Sequence, residues 1–282
     1  FPERLRAVRA QLDKRIAEEG LICAEIEPYA FFDRTDEQLA QLKRALQLGD
    51  VMQAAAIVDR LNGWMDDAVN QVERSVQARD WNGGAIREVA AKRAVYDGQF
   101  FDVLARKLEM LQATYAPEHW ETIPDEIDMI ERRCREIDRM LPEATAWNEP
   151  HVQKYLQARE SLERMLRWLD EMHATSRSLL DLGEELERKH GALTDWFEQL
   201  DRQLREAGAD MSRHRMNTDP LLSSMMHDCE ALMAEAEQAF RYVPRNLNMI
   251  ESRLNEAAQR VGQFAETLQT EIRHKREAEK QI

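Results

Sequence analysis

Apolar residues recur at alternating steps of three and four along most of the chain, and this period predicts helix almost throughout. Residues 2–19 carry Leu5, Val8, Leu12 and Ile16 on one face, with no obvious partner in the stretch that follows. Pro28-Tyr29-Ala30-Phe31-Phe32-Asp33 breaks the period, and Thr35 or Asp36 can cap a helix carrying Leu39, Leu42, Leu46, Ile57, Leu61 and Trp64 to about Arg79. Asp80-Trp81-Asn82-Gly83-Gly84 reads as a turn. A second helix, about 85–115, presents Phe101, Leu104, Leu108 and Leu111. A third opens at Thr122 with Pro124 in its first turn, where the missing amide costs little. Its Ile127, Ile130, Cys134, Ile137 and Leu141 form a heptad seam, and Pro142 through Pro150 then interrupts.

The same order follows again. A helix over about 151–180 carries Leu162, Met165, Trp168, Leu169 and Met172, and Asp181-Leu182-Gly183 reads as a turn. The next helix holds Trp196-Phe197, Leu200 and Leu204, which a shift of 96 lays on Phe100-Phe101, Leu104 and Leu108. A linker from Gly208 to Asn217 leads to Thr218-Asp219-Pro220, an echo of Thr122-Ile123-Pro124. Leu222, Met226, Cys229, Met233, Ala236 and Phe240 follow at heptad spacing, Tyr242-Val243-Pro244 interrupts, and a last helix carries Ile250, Leu254, Val261, Phe264 and Leu268.

Three stretches match one another: Arg60-Leu61-Asn62-Gly63-Trp64, Arg164-Met165-Leu166-Arg167-Trp168 and Arg260-Val261-Gly262-Gln263-Phe264. Their intervals, 168 − 64 = 104 and 264 − 168 = 96, exceed the roughly 34 to 47 residues of helical-hairpin repeats and suit a three-helix unit. The expected fold is all-α, a tandem array of antiparallel three-helix bundles with proline-interrupted junctions. Its divisions are 1–34 as the end of a preceding unit, 35–148 and 149–243 as two repeats, and 244–282 as the first helix of a further one. The pattern running into both ends gives the expectation of a piece of something longer. The expected core includes Trp64, Trp168, Phe264, Phe101, Phe197, Cys134 and Cys229, since large apolar side chains on bundle seams contribute most of the buried area.

A heptad three-helix unit of about a hundred residues, with Trp midway along its first helix and a Lys-His pair in its second, resembles the spectrin repeat. Trp64 and Trp168, each followed by an apolar residue and acids, carry the likeness, with Lys189-His190-Gly191-Ala192-Leu193 ahead of Trp196-Phe197. Lys92-Arg93 stands in the corresponding region of the first unit without the His. Pro142, Pro150 and Pro244 depart from the family pattern, in which one repeat's last helix runs unbroken into the next. The resemblance implies a non-catalytic, actin-binding spacer or scaffold of a cytoskeletal or nuclear-envelope linker, cytoplasmic and without chemistry of its own, with cytoskeletal or adaptor proteins as partners.

Composition narrows the partners. With 53 acidic and 39 basic residues and a net charge of −14, the chain as a whole disfavours nucleic acid and passive attachment to anionic lipid. No apolar run reaches the ~18 residues a membrane span needs, so no direct membrane insertion is expected. Three scattered cysteines form no disulfide framework and fit a reducing compartment.

Candidate chemistry is sparse, and neither enzyme activity, cofactor nor metal is expected. Glu187 and His190 have the spacing used in di-iron bundles, but that site needs a second such motif. His227, Asp228 and Cys229 are consecutive, so on a helix they point apart. Trp81, Trp120 and Trp147 fall in expected loops or at helix ends and are the candidate partner-binding residues. Two further readings stand beside the scaffold. One is an interaction module that binds a specific partner through its bent junctions. The other is a bacterial helical accessory or secretion protein, and self-association is compatible with each.

Overall fold

The computed structural model describes residues 1–281 and is all-α among them. Its helices are α1 (Pro2–Glu19), α2 (Phe32–Gln47), α3 (Val51–Ala94), α4 (Gly98–Thr114), α5 (Ile123–Trp147), α6 (Tyr155–Arg213), α7 (Pro220–Arg241) and α8 (Leu247–Gln281), with a single 3-10 turn at Pro117–His119.

Two expected turns are helix. The segment 80–84 lies inside α3, which runs for 44 residues, and 181–183 lies inside α6, which runs for 59. Glycine in a helix costs about 1 kcal/mol, and packing overrides it. Around Gly83 and Gly84 the buried stripe is Ala78, Asn82, Ala85 and Val89; around Gly183 it is Leu179 and Leu186. At Gly183 a Cβ would sit at ordinary contact distance, 4.0 Å, from Leu111 and Met110 of α4, and at Gly83 it would meet nothing. Gly83→Ala and Gly183→Ala are therefore each expected to raise stability by about 0.5–1 kcal/mol. Urea unfolding checks this, since a turn requiring positive φ would give a loss instead.

Other boundaries also move. The expected helix through 35–79 is broken at Gly49, whose φ of 68° ends α2, and Asp50 caps α3 by accepting from Gln53 N at 2.9 Å. Neither Thr35 nor Asp36 caps α2; Thr35 is buried inside it, with its hydroxyl donating to Phe31 O at 3.0 Å. The chain leaves helix at Val95 and re-enters at Gly98, where no break was expected. Pro142 does not end α5. It is exposed within the helix, the Thr145 hydroxyl donates to Leu141 O at 2.8 Å, and fully buried Ala144 anchors the turn beyond. Pro150 and Pro244 do lie between helices.

The repeat interval is written into the helices. The starts of α3 and α6 differ by 155 − 51 = 104, so Trp64 and Trp168 sit at the same depth in their helices. The starts of α5 and α7 differ by 220 − 123 = 97.

The chain forms two compact units, each built from two separated stretches: Phe1–Asp97 with Met129–His173, and Gly98–Asp128 with Ala174–Ile282. In the first, α1 finds its partner in α3. Leu12 packs in one cluster with Ala68, Val72 and Val76, Arg79 pairs with Glu19 at 2.8 Å, and Arg15 pairs with Glu73 at 3.0 Å. A second cluster joins Leu42 and Ala45 of α2 to Ala54, Ile57 and Leu61 of α3, with Phe1 against it. Ion pairs then tie α3, α5 and α6 to one another: Lys92 with Asp170 at 2.8 Å, Arg93 with Asp138 at 2.7 Å, and Arg133 with Glu171. In the second unit α7 packs on α8, and Leu222, Cys229 and Ala236 are as fully buried as Leu247, Ile250, Leu254 and Phe264.

Candidate functional site

The expected partner-binding tryptophans fall at two polar knots, one in each unit. In the first unit the small buried residues Ala78 and Ala85 flank Asn82 on α3 and leave room for the corner between α5 and α6. Asn82 is completely buried, and its amide donates to Asn148 Oδ1 at 2.8 Å and to Tyr155 O at 2.9 Å. Gln153, at a positive φ of 53°, donates to Gly20 O and Pro150 O, both at 2.8 Å, and accepts from Ile22 N at 2.6 Å. Three hydrogen bonds hold a conformation that L residues otherwise avoid. Glu25 accepts from Leu156 N at 2.8 Å and Gln157 N at 3.0 Å, placing a carboxylate at the positive end of α6.

Trp81 and Trp147 each stand next to a member of the Asn82–Asn148 pair. Both are half-buried, and the Arg159 guanidinium lies over the Trp81 ring at 5.3 Å. Trp81 is a helix residue of α3, not a loop residue, and Trp147 ends α5 with its carbonyl accepting from Lys154 N at 2.9 Å. The Asn82 amide nitrogen and the Asn148 side-chain oxygen beside them hold the corner shut, while Asn82 Oδ1 is buried with no hydrogen-bond partner among the described residues.

Trp120 belongs to the second unit, where it follows the 3-10 turn and donates from Nε1 to Tyr115 O at 2.8 Å. This segment is strapped to the start of α8. Ala116 N donates to Arg245 O at 2.9 Å, and Arg245 N donates to Thr114 O at 2.8 Å. Leu247 N donates to His119 Nε2 at 3.0 Å, so an imidazole from another part of the chain caps α8. Asn246 completes the cap by accepting from Met249 N at 3.0 Å and donating to Glu118 at 3.2 Å. Beside it, the Tyr115 hydroxyl donates to Glu187 Oε2 at 2.8 Å, with Arg245 at 3.5 Å from the same oxygen, and Lys189 pairs with Glu251 at 2.7 Å. Tyr115 is pushed up to about 12 by burial and the Glu187 carboxylate.

His119 must be neutral to accept that bond. Burial, and then the Lys189 ammonium, hold it below the ordinary histidine value of 6.5. A folded-state value below the unfolded one means that the unfolded chain binds more protons between the two, so stability rises with pH. His119 thus contributes stability that is fully present above about 6.5 and lost as the pH falls through its folded value. His119→Gln keeps an acceptor without a titration, and its urea midpoint is expected to fall less than the wild type's between about pH 7 and about pH 5.5. His190, lowered in the same direction by burial and Arg245, leaves both proteins some slope.

Of the expected core, Phe264, Cys134 and Cys229 are buried, while Trp64, Trp168, Phe101 and Phe197 are half-buried. Phe197 packs edge-on against Phe240 at 5.7 Å, and His190 packs on the same ring at 5.8 Å. Burial pushes the Cys134 thiol up and the Cys229 thiol up to about 11, which leaves little thiolate for nucleophilic chemistry. Glu187 is held by Tyr115 and Arg245, and Asp228 pairs with Arg260.

Sequence reasoning missed Asn82, Gln153, Glu25, His119 and Asn246. Only Asn246, a capping residue type two places after Pro244, carried a local signal. Comparison of the chain with protein-family models, with curated proteins and with solved structures finds no match. Among the described residues no helix is long and apolar enough to cross a membrane.

Proposed function

We propose that this chain is a non-catalytic structural segment of a cytoplasmic cytoskeletal or nuclear-envelope linker, built from three-helix units of the spectrin-repeat kind, serving as spacer and protein-docking surface. The observation that supports this reading is the coincidence of the 104-residue motif interval with the interval between the starts of α3 and α6. A motif that keeps its depth in two long helices is what duplication of a helical unit produces. The pairwise ion pairs among α3, α5 and α6 support a three-helix arrangement in the first unit. The test is mechanical. A spacer held by its ends must lengthen in discrete steps and recover on relaxation, so repeated stretching in an optical trap is expected to retrace one extension curve. Failure to refold between cycles would overturn the reading.

A docking module is favoured over a pure spacer by the corner at 148–154 and the segment at 242–246. The chain leaves helix there beside Pro150 and Pro244 and is fixed by side chains from distant sequence. Rigid corners present side chains in a set geometry, which lowers the entropy lost on binding.

A further inference from the structure

The turn joining α2 to α3 exposes four large aliphatic side chains within seven residues: Leu46 at 62%, Leu48 at 82%, Val51 at 73% and Met52 at 82%. Scattered exposed leucines are ordinary, but a contiguous set on one turn marks a surface that meets something. The turn itself is firmly built. Gly49 closes α2, Asp50 caps α3, and buried Ala45, Ala54 and Ile57 fix the two helices just behind it. Phe1 packs on that same cluster and so brings the first turns of α1 alongside.

We infer that this tip docks peripherally on an anionic bilayer surface. Charge is the first argument. Residues 1–6 and 43–54 carry four exposed cations, Arg4, Arg6, Lys43 and Arg44, against Glu3 and Asp50, whereas the whole chain carries 53 acids against 39 bases. Salt screens a charged surface within about 10 Å, so the tip's own cations, and not the total of −14, decide what it approaches. Each Lys or Arg near anionic lipid strengthens binding by about five-fold.

The second argument is chemical type. Protein hot spots favour Trp, Tyr and Arg in pockets, with Leu and Val under-represented. Here all four side chains are unbranched or branched aliphatics on a protruding turn, suited to the boundary between headgroups and acyl chains. The pattern is the compact equivalent of an interfacial helix, in which buried apolar area and basic flanks add. Docking of this kind needs no spanning helix and is independent of the spacer reading.

The test is co-sedimentation of the whole chain with vesicles of phosphatidylcholine alone or with roughly a third phosphatidylserine, at about 0.15 M salt. Binding to the serine-containing vesicles only is expected, weakening as salt rises. Lys43→Gln with Arg44→Gln is expected to reduce it by about 30-fold, and Leu48→Asp with Met52→Asp to abolish it, both with unchanged circular dichroism since these positions are exposed. No partition onto anionic vesicles would overturn the proposal, as would partition that neither double variant alters. Concentration-dependent dimers in ultracentrifugation that Leu48→Asp with Met52→Asp dissolves, without vesicle binding, would assign the tip to a second copy instead.

Discussion

Phe264→Ala is expected to cost about 3–5 kcal/mol, the largest loss from any single truncation among the matched aromatics. Phe264 is completely buried on α8, between Val261 and Leu268, which are 2% and 1% exposed. Removing its ring forfeits the transfer free energy and leaves a cavity that the surrounding structure closes only in part. Trp64 and Trp168 occupy the equivalent place in the repeated motif yet are half-buried, so truncating either is expected to cost less, about 1–3 kcal/mol. Urea unfolding of the three variants ranks them directly, with midpoints falling at constant slope. A Trp168→Ala cost above that of Phe264→Ala would mean that the rim position, not the buried one, organises its unit.

The contrast between these three residues shows how far the sequence pattern reaches. Periodicity placed all three on the apolar side of long helices, which is where they are, but the width of a stripe does not tell its centre from its edge. Fully buried positions such as Leu61, Met65, Leu162 and Met165 flank the tryptophans and take the centre. Boundaries were legible where the signal is local: Asp219 and Pro220 cap and open α7, and Asp219 accepts from Leu221 N at 2.8 Å. Gly49-Asp50 was equally local, a left-handed stop followed by a cap, but the apolar spacing running across it hid the break. The polar knots were illegible for a different reason. Gln153 meets Gly20 and Ile22 more than 130 residues away, and Asn82 reads as a turn residue until α6 is packed over it. Nothing in the spacing of those residues encodes their meeting. The buried Asn82 amide fixes which segments pair through its two donors, because an alternative pairing leaves them unmatched, at a cost of about 1–3 kcal/mol each, in addition to Oδ1, which is already without a partner among the described residues.

Gly183→Pro is expected to cost about 3 kcal/mol or more and to separate the two accounts of α6. Where Asp181-Leu182-Gly183 formed a turn between two bundle helices, proline would be tolerated or even favourable. In a helix unbroken from Tyr155 to Arg213 it removes one hydrogen bond and drives its ring into the carbonyl of Leu179, a residue only 5% exposed. The native precedent is Pro142, which α5 accommodates with its ring exposed. Gly183 has no such outlet, since its Cβ direction faces Leu111 and Met110 of α4 and the Lys107 ammonium already donates to Leu180 O on the adjoining turn. Gly183→Ala is the matched control, expected to stabilise where proline destabilises. Opposite signs for the two substitutions in one urea series would establish helix through this point, and equal tolerance of both would restore the turn and with it the shorter helices of a conventional three-helix repeat.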